Sequence, residues 1–145
     1  MMISTRGRYA LRVMIDLAET GNEKLVAMKT VAERQGISLK YLEHIIPVLV
    51  KNNLVEGTQG KGGGYRLIRN PEEYKVGEIL RLTEGNLAPV SCLACENDTC
   101  DKADSCRTRP MWVKLQEMID EYFDGITLAD LMKDEKNPIK SGSYE

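Results

Sequence analysis

Histidine is almost missing from these 145 residues; the chain has one, His44. No nucleophile–base constellation forms around it, so an enzyme is not expected. An imidazole ligand near the cysteines, which all lie beyond residue 90, is excluded within this chain for the same reason. No apolar run approaches the roughly 20 residues of a membrane-spanning helix. The N-terminus lacks the apolar core of a signal peptide. A cytoplasmic protein with no membrane partner is therefore the expectation. No internal repeat or low-complexity tract is visible. A phosphate loop of the Gly-Lys-Ser/Thr kind is also missing, because Lys61 in the glycine-rich stretch is followed by more glycines rather than by a helix.

The length suits one compact domain with a modest extension. A net charge of −2 looks wrong for a nucleic-acid binder until it is divided. Residues 1–70 hold 11 Lys/Arg against 6 Asp/Glu, and residues 71–145 hold 9 against 16. The basic half and the acidic half must therefore do different things, and dimerisation or sensing is left for the acidic one.

The basic half is organised around Met28 to Ile68. Val31 and Ala32 suit the buried side of a short helix. Gly36 can take the positive φ of a tight helix–helix turn, and Ser38 is a candidate N-cap for the next helix. Leu39, Leu42, Ile45, Ile46 and Leu49 recur at helical spacing as one apolar stripe. Lys40, Tyr41, Glu43 and His44 occupy the opposite face. This is a helix-turn-helix with a polar reading face. Leu54-Val-Glu and Tyr65-Arg-Leu-Ile have strand composition, and the stretch between them is rich in glycine and carries Gln59, Lys61, Gly63 and Gly64. A helix-turn-helix followed by a basic, glycine-tipped hairpin is a winged helix, whose usual ligand is duplex DNA. A protein-binding winged helix is the alternative.

Before this unit, Tyr9 to Ala18 reads as a helix with Leu11, Ile15 and Ala18 on one side. Arg6 and Arg8 sit at its start, where cations oppose the helix dipole and call for another partner; a DNA phosphate is the candidate. Leu25-Val26-Ala27 is a short strand able to pair with the wing. After it, Val76 to Glu84 reads as a helix that Gly85 can cap. Residues 86–109 form a loop without apolar period. Pro110 suits the first turn of a new helix, on which Met111, Leu115, Met118, Ile119, Tyr122 and Phe123 make one apolar ridge. That ridge is expected to be a dimer seam, since two-fold dimers read palindromic operators. Thr127 caps a short final helix. The expected fold class is mainly α with a small β-wing. It divides into a winged-helix DNA-binding domain over 1–85, a cysteine-rich loop over 86–109, a dimerisation helix and short final helix over 110–132, and a flexible tail over 133–145.

Cys92, Cys95, Cys100 and Cys106 give C-x2-C-x4-C-x5-C within 15 residues. In a cytosolic chain, disulfides are not expected. Four thiols in one acidic loop suggest metal ligation. Zinc usually takes two paired knuckles, and only Cys92/Cys95 make one. Iron–sulfur clusters accept more irregular spacing. Both readings stay open on the residues alone, beside a thiol switch or an inert loop.

Five stretches together resemble the IscR/CymR/NsrR family of bacterial winged-helix regulators. They are Ile3-Ser-Thr-Arg-Gly-Arg-Tyr-Ala-Leu-Arg12, Gly36-Ile-Ser-Leu-Lys-Tyr-Leu-Glu43, Gly60-Lys-Gly-Gly-Gly-Tyr65, Thr83-Glu-Gly85 and Ile126-Thr-Leu-Ala-Asp-Leu131. They cover residues 1 to about 132 in the right order, closest to the IscR branch. The resemblance implies a homodimer formed through the long C-terminal helix, and a base-reading glutamate at Glu43. It also implies a cluster held by three cysteines, of which Cys100 and Cys106 match the second and third. Departures are informative. Arg109 stands where IscR members have a further histidine ligand. Arg8 stands where nitric-oxide sensing members have an aspartate. Gln59 stands where IscR members have a minor-groove arginine. An all-cysteine iron–sulfur site is then expected, 2Fe–2S ahead of 4Fe–4S, with zinc as the alternative. The function expected is a dimeric, DNA-binding regulator, a repressor, that senses cluster or redox status. The alternatives are a regulator of cysteine or sulfur metabolism without a cluster, and a zinc-stapled protein-interaction module.

Overall fold

Ser4 starts the first helix several residues before the apolar pattern does. Its Oγ accepts a hydrogen bond from the Gly7 N–H, and helix α1 runs Thr5–Thr20. Arg6 and Arg8 are thus inside its first turns. The computed structural model of the chain describes residues 3–94 and 102–132. The buried face of α1 is Ala10, Val13, Met14, Leu17 and Ala18, whereas Leu11 and Ile15 sit on the flank, partly covered. The sequence pattern favoured Leu11 and Ile15. The structure rotates the face because α1 is wrapped by several elements rather than one.

Helix α2 spans Met28–Gln35 and buries Val31 and Ala32 as expected. Gly36 closes it in the left-handed conformation, φ 64°, which an L side chain takes only at a cost. Ser38 then caps helix α3, Leu39–Lys51, by accepting from the Tyr41 N–H at 3.1 Å. Leu42, Ile45, Ile46 and Leu49 are buried in the common core. Leu39 is not; it is 40% exposed, because it lies on the first turn, before the helix reaches the core. Pro47 lies inside α3 on its exposed side. The helix continues past it, since the buried residues before and after hold it in place.

Strands β1, Val55–Thr58, and β2, Gly64–Leu67, pair antiparallel with Val55 opposite Leu67 and Thr58 opposite Gly64. The strand expected at residues 25–27 is present as a single bridge. The Val26 N–H donates to the Tyr65 carbonyl and the Tyr65 N–H to the Val26 carbonyl, both at 2.9 Å. Gly64 makes this possible: a Cβ there would lie 2.5 Å from the Val26 carbonyl carbon.

A 3-10 turn, Pro71–Glu73, leads into Tyr74 and helix α4, Val76–Glu84. A second 3-10 turn covers Ser91–Leu93. Helix α5 is Arg109–Asp124, with Pro110 in its first turn, and α6 is Leu128–Leu131, capped by Thr127 in a reciprocal pair with Asp130. Val76, Leu80 and Leu87 form a second apolar cluster, with Ile119 and Phe123 of α5 packed on it. Arg81 fastens this contact by donating to Asp124 at 2.8 and 3.1 Å and to Asp120 at 2.9 Å. No helix among the described residues is long and apolar enough to cross a membrane. The expected tail, residues 133–145, lies outside the described residues.

Candidate nucleic-acid interface and cysteine loop

On α3, Lys40, Glu43 and His44 are exposed on the side away from the buried stripe, and the capping residue Ser38 is exposed beside them. Tyr41 differs. Its ring is half-buried and meets Tyr9 of α1 edge-on, with centroids 5.3 Å apart. Arg12 in turn lies over the Tyr9 ring. Tyr41 therefore joins α3 to α1, and its ring belongs to the packing more than to the open reading face. Glu43 also borders a groove toward the wing whose walls include Ile46, Pro47, Val50 and Tyr65.

The tip of the wing carries Gln59 and Lys61 exposed and Gly63 half-buried, while Gly64 is buried at the Val26 bridge. Glycine at 63 keeps the turn tight, since a Cβ there would meet the Thr58 carbonyl oxygen at 2.3 Å. Gly63 and Gly64 thus shape the hairpin, and Lys61 projects its charge from it. Arg6 and Arg8 are exposed on α1, with Arg8 donating to Thr5 Oγ1 at 3.1 Å.

The orientation of these elements rests on residues that sequence reading passed over. Asp16 is buried in α1 and accepts from Arg34 and, at 2.9 Å, from Gln35, both on α2. A buried carboxylate has to be paired in this way. Tyr74 is fully buried. Its hydroxyl donates to the Leu54 carbonyl at 2.6 Å and accepts from the Ile68 and Arg69 N–H groups at 3.0 Å. One side chain thus ties the two legs of the hairpin together at its base. Arg69 stacks over its ring and pairs with Glu78 of α4 at 2.9 Å. A tyrosine in a polar stretch after a strand was the one visible signal, and it does not say which carbonyl the hydroxyl will reach.

In the cysteine loop, Cys92 sits in the 3-10 turn and Cys106 just before α5; both are free thiols, half-exposed. Cys95 and Cys100 lie outside the described residues. Cys106 has neighbours that favour loss of its proton. The Thr108 hydroxyl at 3.3 Å, the N–H groups of Thr108 and Arg109, and the Arg109 charge hold its thiol below the ordinary range. A cysteine whose pKa is lowered at a helix N-terminus gives up its proton more readily and is a soft donor suited to iron or zinc.

Comparison with known proteins agrees with this architecture. Residues 3–134 match the family model described as Rrf2, iron-dependent transcriptional regulator. The protein named rrf2 of Nitratidesulfovibrio vulgaris is 40% identical over 134 residues, 92% of this chain and 89% of that protein. The HTH-type transcriptional regulator IscR of Aliivibrio salmonicida is 37% identical over 134 residues, 92% of this chain and 79% of that protein. Among solved structures, CymR, the global cysteine regulator of B. subtilis, superposes with a TM-score of 0.75 at 34% identity, covering 90% of this chain and 95% of that one. IscR of T. potens superposes at 0.72 with 40% identity, covering 90% and 85%. A winged helix with an exposed polar reading face, matched along nearly its whole length by such relatives, has one reading: the chain belongs to the Rrf2 family of DNA-binding transcriptional regulators.

Proposed function

We propose that this regulator is a cytoplasmic homodimer that represses transcription from a palindromic operator, and that an iron–sulfur cluster in its cysteine loop sets its affinity for DNA. Four cysteines within 15 residues, the last with its thiol pKa lowered just before α5, carry the reading. Soft thiolates in one loop fit a cluster, and 2Fe–2S is preferred to 4Fe–4S. Cys92, Cys95, Cys100 and Cys106 would hold it. A bound cluster supplies a centre that responds to oxidants and to iron supply. In DNA binding, Ser38, Lys40, Glu43 and His44 face the major groove, Gln59, Lys61 and the Gly63–Gly64 backbone approach from the wing, and Arg6 and Arg8 meet phosphates. Tyr41 supports this surface through Tyr9.

Anaerobic purification or reconstitution followed by iron and sulfide assays tests the cluster. Wild-type protein should be brown, and a variant with all four cysteines replaced by alanine should bind no iron. Iron at the wild-type level in that variant would end the cluster hypothesis. Colourless protein with one zinc per chain would favour a zinc staple instead.

A further inference from the structure

The amino end of α1 carries an electrostatic conflict. Arg6 and Arg8 stand in its first turns, and no acidic residue of its own accompanies them. Cations there oppose the helix dipole. The missing anion comes from 80 residues away. Glu84, in the last turn of α4, accepts from the Ser4 N–H at 3.0 Å and from the Ser4 hydroxyl at 2.7 Å, both through Oε1. The Ser4 hydroxyl oxygen accepts in turn from the Gly7 N–H at 3.4 Å. Residue 7 has to be small for this to happen, since a Cβ there would lie 2.3 Å from Glu84 Oε1. Glycine is a poor helix former, so its place inside α1 serves the approach of that carboxylate.

We infer that Glu84 is a positioning residue for DNA binding. It closes the first turn of α1 from outside, so that Arg6 and Arg8 are presented in fixed places. The inference rests on the reading of those arginines as phosphate contacts. Its sign is unusual. A carboxylate beside phosphate-facing cations repels DNA, so charge alone predicts that removing it tightens binding. Positioning predicts the opposite, because a frayed first turn is competent for only part of the time.

The test uses the full chain and a mixed-sequence DNA duplex, with fluorescence anisotropy over a KCl series. No operator is needed, since phosphate contacts are independent of sequence. Glu84→Ala should bind about three- to tenfold more weakly at low salt, the range that loss of a helix cap allows. Its salt dependence should flatten by about one to two ions. Glu84→Gln keeps an acceptor for Ser4 and should stay within about twofold of wild type. Gly7→Ala should reproduce the loss although it improves helix propensity, and it carries the test if circular dichroism shows Glu84→Ala unfolded. On an Arg6→Ala/Arg8→Ala background, Glu84→Ala should cost nothing more. A folded Glu84→Ala that binds as tightly as wild type or tighter, while the double arginine variant binds weakly, overturns the proposal alone. A double arginine variant with unchanged affinity and salt slope overturns the phosphate reading and the proposal with it.

Discussion

Glu43 is the side chain on α3 best placed to read a base. It is exposed in the second turn of the helix, and a carboxylate can accept from cytosine N4. Glu43→Ala is expected to relax discrimination at one base pair by roughly 1–3 kcal/mol, more than it weakens binding overall. Affinities for operators varied one position at a time check this, and equal loss on every sequence would assign Glu43 to charge balance alone. Lys61 at the wing tip should behave in the opposite way. Lys61→Ala should weaken binding to all sequences alike and lower the salt slope by about one ion. An unchanged slope would remove Lys61 from the phosphate contacts. At this scale much was legible: Ser38 as cap, Gly36 as turn and the Val31–Ala32 pair follow from local chemistry. Leu39 was misplaced in the buried stripe, because helical spacing does not say where along a helix the core begins.

At the scale of elements, the wing depends on Tyr74. Its hydroxyl serves one carbonyl of the segment before β1 and two N–H groups after β2. Tyr74→Phe leaves the buried Leu54 carbonyl without this donor and should cost about 1–3 kcal/mol. Thermal or urea unfolding measures that cost. Because the hairpin base opens, Lys61-dependent binding should weaken as well. A variant with wild-type stability would mean that water replaces the hydroxyl without loss. The helix boundaries of α4 and α6 were close to legible, each marked by its cap. The Tyr74 latch, the Arg81 clamp and the Glu84 contact were not, because each reaches a residue 20 to 80 positions away.

At the scale of the molecule, α5 has two faces where the sequence suggested one ridge. Ile119 and Phe123 pack on Val76, Leu80 and Leu87. Met111, Leu115, Met118 and Tyr122 remain exposed, spaced four, three and four apart along one stripe, as in a helix–helix seam. This division changes the test of the dimer. Ile119→Asp would bury a charge inside the α4–α5 contact and damage the chain itself. Met118 is 56% exposed in the single chain, so Met118→Asp should leave the fold intact. It is expected to give a folded monomer by sedimentation, with unchanged circular dichroism, and to lose operator affinity by separating the two reading heads. A folded dimer in Met118→Asp would move the seam elsewhere.

Periodicity, capping residues and turn glycines are local quantities, so the sequence by itself determined the helix-turn-helix, the glycine-tipped wing and the amphipathic helix that starts at Arg109. Which of two neighbouring apolar stripes faces the chain's own core, which ring leaves the reading face to pack, and which distant carboxylate caps α1 were decided by the tertiary structure alone. Those outcomes depend on where each helix lands against the others. That placement minimises exposed apolar surface and unpaired polar groups over the whole chain at once, a condition no single segment contains.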